Sequence, residues 1–147
     1  MKWLTAAIVA LTLAGQVAAV LAQTPLLDAN KATEAELLKA PHMTPAIVKA
    51  IIAARPFASI TDLHKLLLAQ KLSAAQTAAF YADVFVPINL NTATDEQILL
   101  IPGVGKRMVH EFKEYRPWKT RAQFDKEIGK YVDAKEVARL ARYVVIP

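Results

Sequence analysis

No cysteine occurs in the 147 residues, and glycine is nearly as scarce, with four. Without cysteine the chain cannot be held by disulfides, use thiol catalysis or bind zinc through thiolates. Packing alone must stabilise it. Other chemistry is missing as well. No Ser-His-Asp spacing stands out, no carboxylate pair sits in a recognisable pocket motif, and there is no phosphate loop of the Walker type. His42, His64 and His110 lie far apart, with no acid at ligand spacing, which argues against a metal site. The chain does not read as an enzyme, and neither a cofactor nor a small-molecule substrate is expected.

The first 22 residues carry one base, Lys2, and no acid. An apolar run follows from Trp3 to Leu21, and Val20-Leu21-Ala22 fits the small-x-small cleavage rule of an export signal. Residues 1–22 are therefore read as a signal peptide, which places the mature chain, from Gln23 onward, in the periplasm. The rival reading is a retained membrane anchor, because the run approaches the roughly 20 apolar residues that span a bilayer. Thr5, Thr12 and Gln16 interrupt it. Cleavage leaves roughly 125 residues, enough for one ordinary core or two very small ones. It also leaves 17 basic against 13 acidic side chains, a balance that suits an anionic partner.

The mature chain is a duplication. Slid back by 61 positions, "INLNTATDEQILLIPGVGKRMVHEFKEYRPW" lies over "LDANKATEAELLKAPHMTPAIVKAIIAARPF". Asn30 meets Asn91, Thr33 meets Thr94, Pro41 meets Pro102, and Arg55-Pro56 meets Arg116-Pro117, with Phe57 over Trp118. The copies span 27–87 and 88–147. Capping-box patterns, in which a Ser, Thr or Asp and an acid or Gln three residues on satisfy two orphan amides reciprocally, mark the helix starts. They occur at Thr33/Glu36, Ser59/Asp62 and Ser73/Gln76, then at Thr94/Gln97, Thr120/Gln123 and Asp133/Glu136. Apolar residues recur between them at helical spacing, and prolines end the runs. The expectation is an all-α chain with about four short helices per copy, each too short to stand without packing.

Two of the four glycines stand one residue apart in "IPGVGKRM", Ile101 to Met108. With helices before Pro102 and after Gly105, the chain must reverse within a few residues. That reversal usually needs a positive φ, which Gly accepts without strain. Val104 then plugs the space between the helices. Gly105, Lys106 and Arg107 offer backbone N–H groups at the positive end of the next helix, a site for one phosphate. The pattern Ile98-x-x-Ile101-x-Gly103-Val104-Gly105-x-x-x-Val109-x-x-Phe112 resembles the helix-hairpin-helix motif of non-sequence-specific DNA-binding proteins. With "INLNTAT" and "YRPW" around it, the chain is similar to the exported competence protein ComEA family. The resemblance implies two tandem helix-hairpin-helix domains and a double-stranded DNA partner met through its phosphates. It implies a role in natural transformation, with components of a DNA-uptake pilus or channel as further partners. The DNA-binding residues implied are Gly103, Val104, Gly105, Lys106 and Arg107.

Copy one departs from this pattern. His42, Thr44 and Pro45 replace Gly103, Gly105 and Lys106. Thr44-Pro45 makes a good N-cap and first helical residue but a poor phosphate nest, since proline has no N–H. Copy one has six basic and five acidic side chains, and copy two has eleven and eight. The expectation is that copy two binds and copy one braces it or meets a partner. Gly129-Lys130 offers a second backbone contact, or only a helix C-cap, the commoner use of such a glycine. Trp118, in the place of Phe57, suits core packing better than base stacking. The alternative is a structural adaptor, because copy one also resembles the extrinsic photosystem II U protein, which uses a related fold for protein contacts.

Overall fold

A Ser, Thr or Asp that accepts an early amide opens almost every helix of this chain. The computed structural model describes residues 25–147, and the leader read as a signal peptide lies outside them. The first half runs β1 (Leu27–Asp28), α1 (Glu34–Leu38), α2 (Pro45–Ala54), α3 (Ile60–Ala69), α4 (Ala74–Tyr81) and β2 (Val84–Phe85). The second repeats the order as β3 (Ile88–Asn89), α5 (Asp95–Leu99), α6 (Lys106–Glu114), α7 (Arg121–Ile128), α8 (Ala134–Ala141) and β4 (Val144–Val145). The described chain is thus mostly helical. None of its helices is long and apolar enough to cross a membrane.

Among the described residues, two short strand pairs accompany the helices. β1 pairs in parallel with β2, Leu27 opposite Val84, and β3 pairs in parallel with β4, Ile88 opposite Val144. A parallel pair needs a crossover of a dozen or more residues, which the four helices between its strands supply. Each pairing closes one copy end to end and gives the backbone amides beside buried side chains their partners. Strands of two residues are too short to show an alternating pattern in the sequence.

Reciprocal capping boxes form at Thr33, Ser73 and Thr94, while at Ser59 the backbone N–H donates to the Asp62 carboxylate and the hydroxyl turns to the Thr61 and Asp62 side chains. The other two patterns are half-used. Thr120 accepts from the Gln123 amide, but the Gln123 side chain accepts from Lys119 instead. Asp133 accepts from the Glu136 amide at 2.8 Å, while the Glu136 carboxylate turns to Arg139. Each side-chain cap contributes about 1 kcal/mol, which matters for helices of five to ten residues.

The remaining repeat signatures are architectural. The Asn91 amide accepts from the Trp118 N–H at 2.6 Å and donates to the Trp118 carbonyl at 2.9 Å. Asn30 does the same with Phe57. The Arg116 guanidinium donates to the Leu90 and Ala93 carbonyls, as Arg55 does to Ala32. Both Arg-Pro bonds are cis. Trp118 is 1% exposed and donates from its indole to the Phe112 carbonyl, so its ring belongs to the core.

The two copies share that core. The Tyr143 hydroxyl donates to the Tyr81 carbonyl at 2.9 Å, and the Phe85 and Tyr143 rings meet edge to face at 4.9 Å. Phe85, Val86 and Ile88, at the junction of the copies, are all buried. Edge-to-face rings add about 0.5–1.5 kcal/mol beyond the area they bury. The junction is therefore a packed seam.

Candidate nucleic-acid interface

The turn between α5 and α6 is built from its apolar ends inward. Ile98 and Ile101 are buried below it, Val109 and Phe112 beyond it. The Val104 amide donates to the Ile101 carbonyl at 3.1 Å, and its half-buried side chain packs on the core between the two helices. Gly103 holds φ at +80°, in the left-handed region that L side chains adopt at a cost. Gly105 does not. Its φ of −110° and ψ of 179° are extended backbone open to any residue, and a Cβ there would meet nothing within 4 Å. The turn thus needs Gly103 and has no need of Gly105.

What Gly105 does is leave α6 uncapped. The seven other helices among the described residues start from Thr33, Thr44, Ser59, Ser73, Thr94, Thr120 and Asp133. α6 starts from Gly105, with no side-chain acceptor for its first amides. Those N–H groups have no intrahelical acceptor either, and the helix dipole places partial positive charge on them. Gly103, Gly105, Lys106 and Arg107 are all exposed, so the approach is open.

Copy one folds the same turn and closes it. His42, in the place of Gly103, adopts φ of 63°. Thr44 accepts from the Ile47 amide at 3.3 Å, and Pro45 at the start of α2 removes one donor.

The five sequence-derived site residues divide by role. Lys106 and the Gly105 backbone lie at the open helix end, while Val104 is structural. Arg107 lies with its guanidinium carbon 5.6 Å from the centre of the Tyr131 ring. Tyr131 in turn shares a 2.8 Å hydrogen bond with Tyr115, whose ring lies 5.2 Å from the Lys130 ammonium. Hydrogen bonds to Tyr115 and then Glu111 raise the Tyr131 phenol above the ordinary range, so it stays neutral beneath the guanidinium. Lys130 also pairs with Glu127. The α7–α8 turn is thereby brought against the first turn of α6. Gly129 within it has φ of −60°, and a Cβ there would stand 2.6 Å from the Asp125 carbonyl oxygen. It is a close-packed C-cap.

One participant escaped sequence reading. Arg139 of α8 donates to the Pro102 carbonyl at 2.8 Å and stands 3.4 Å from where a Gly103 Cβ would be. Its only sequence signal is Glu136 three residues before it, a spacing that pairs charges on one helix face. Lys113 faces the other flank of α6 and pairs with Asp95 at 2.6 Å. Among the described residues no three His, Cys, Asp or Glu side chains stand together as a metal site.

No family model, curated protein or solved structure matches this chain.

Proposed function

We propose that the chain is an exported, non-sequence-specific double-stranded DNA-binding protein, built of two tandem helix-hairpin-helix units and serving as a DNA receptor in natural transformation. The observation that carries this reading is Gly105. A cap residue would suit the fold, as it does at the seven other helix starts, and the space for one is open. Glycine here keeps amides and dipole exposed beside Lys106, the arrangement that accepts a phosphate oxygen. A backbone nest carries no sequence information, so any duplex serves equally. Copy two takes the DNA. Copy one, whose hairpin is closed by Thr44 and Pro45, braces it across the Tyr81–Tyr143 seam or meets a pilus or channel component.

The adaptor reading draws on copy one, whose hairpin is closed by Thr44 and Pro45. Fluorescence anisotropy of the chain from Gln23 onward with unrelated labelled duplexes separates the two. DNA binding predicts roughly micromolar or tighter affinity at low salt, lost steeply as salt rises. A folded protein that ignores every duplex leaves the adaptor reading standing. Uptake of DNA by a deletion strain tests the physiological role.

A further inference from the structure

α8 lies outside the α5–α6 hairpin and yet reaches into it. The Arg139 Nη2 donates to the Pro102 carbonyl at 2.8 Å and to one Glu136 oxygen at 2.7 Å, while Nε donates to the other Glu136 oxygen at 2.7 Å. The Tyr143 ring centre lies 5.7 Å from the guanidinium carbon. The fork is therefore held by a carboxylate and an aromatic face, and it holds the carbonyl immediately before Gly103. A planar guanidinium gripped at two points is already ordered before it donates elsewhere. Glu136 spends its carboxylate on this grip rather than on completing the capping box at Asp133. Copy one is one residue longer between α3 and α4, so it carries Gln76 and Ala79 at the corresponding places, and the Gln76 side chain does close a capping box there.

We infer that Arg139 is a positioning residue for the DNA-binding hairpin, locking the turn through the Pro102 carbonyl so that the α6 amides meet a phosphate without rearrangement. The inference rests on the DNA-binding reading above. Its physical content is pre-organisation: a turn already fixed loses less freedom when it binds. Arg139 acts through the turn and does not itself touch the phosphate. Its removal should therefore change affinity without changing how many counterions binding releases.

The intact chain is titrated with a labelled mixed-sequence duplex at several salt concentrations, as wild type and as Arg139→Gln, Arg139→Lys and Glu136→Gln. Arg139→Gln should weaken binding about tenfold with the slope of log affinity against log salt unchanged. Arg139→Lys keeps the charge without the fork and should do no better. Glu136→Gln is the sharpest arm. Loss of an acid near the site would strengthen DNA binding if only net charge mattered, whereas loss of the grip on Arg139 should weaken it severalfold. Without DNA, the Val104 amide, bonded to the Ile101 carbonyl, should exchange its hydrogen faster in all three variants.

Wild-type affinity in Arg139→Gln, tighter binding by Glu136→Gln, or a slope flattened by about one unit would each overturn the positioning role. The last outcome would make Arg139 a direct phosphate contact. If the wild type binds no duplex, the DNA-binding reading fails and this inference with it. A wild type that binds beside variants that bind equally well overturns the inference alone.

Discussion

His42 and Gly103 occupy the same place in the two copies and the same left-handed turn, with φ of 63° and 80°. A Cβ in that region crowds the backbone, and histidine tolerates it better than most residues but not freely. The turn is thus kept in a copy that no longer keeps the glycine suited to it. His42→Gly should relieve the strain and stabilise the chain by about 1 kcal/mol, less whatever the freer unfolded glycine costs. Urea unfolding measures it. The variant should gain no DNA affinity, because Thr44 and Pro45 still close the α2 amides. A loss of stability would show that the His42 side chain contributes more than its backbone costs.

Gly105 separates fold from function more cleanly than Gly103 does. Gly103→Ala should cost about 1 kcal/mol or more, since its φ is positive. Gly105→Thr copies the cap of copy one into an extended, open position. It should change stability by only a few tenths of a kcal/mol. DNA affinity should nonetheless fall about tenfold, or ~1.4 kcal/mol, because the hydroxyl takes an amide and the side chain fills the approach. Thermal unfolding and anisotropy on the same preparation decide it. Full DNA affinity in Gly105→Thr would make the glycine irrelevant to binding.

Lys106→Ala combined with Arg107→Ala removes charge and leaves the backbone nest in place. The slope of log affinity against log salt should flatten by roughly one to two units. The Arg107 stack on Tyr131 refines this expectation, since a guanidinium held there must leave its ring or bring the phosphate to it. Lys106→Ala alone should account for about one unit. Unchanged slopes in both variants would rule out phosphate contact at this helix end.

The seam between the copies carries a pH dependence. The His64 Nδ1 lies 2.9 Å from the Tyr81 hydroxyl. Burial pushes the His64 imidazole below its ordinary range, against a smaller upward pull from Glu96, and burial raises the Tyr81 phenol. The folded pair is therefore a protonated phenol hydrogen-bonded to a neutral imidazole. The unfolded chain takes up a proton near the ordinary histidine value of about 6.5, and the folded chain does so only at lower pH. Between those values the unfolded state holds more protons, so stability is full above about pH 6.5 and falls as pH drops through the folded value. Unfolding midpoints at about pH 7.5 and about pH 5.5 should differ more in the wild type than in His64→Gln. Equal differences would place the dependence elsewhere.

Much of this fold is legible along the chain because its signals are local. A cap and its partner stand three residues apart, a helix repeats every few residues, and a glycine pair marks a reversal within one turn. The strands were not legible, since two residues cannot alternate. Arg107 reads as a charge at a helix start, and only the nearness of the α7–α8 turn makes it a stacked one. Gly105 reads as the start of the next helix, where it offers a backbone N–H. Its extended backbone shows that the turn does not need it, which sharpens its candidacy as a binding position.

The sequence by itself determined the duplication, the helix starts, the reversal at Gly103 and the loss of the glycines from copy one, because each is written in residues close along the chain. Only the tertiary structure decided that Arg139 meets Pro102 across 37 residues and that Tyr143 meets Tyr81 across 62. Such contacts have no period and no fixed spacing. They form because burying one continuous apolar core brings distant polar groups together, where each must find a partner once water is excluded.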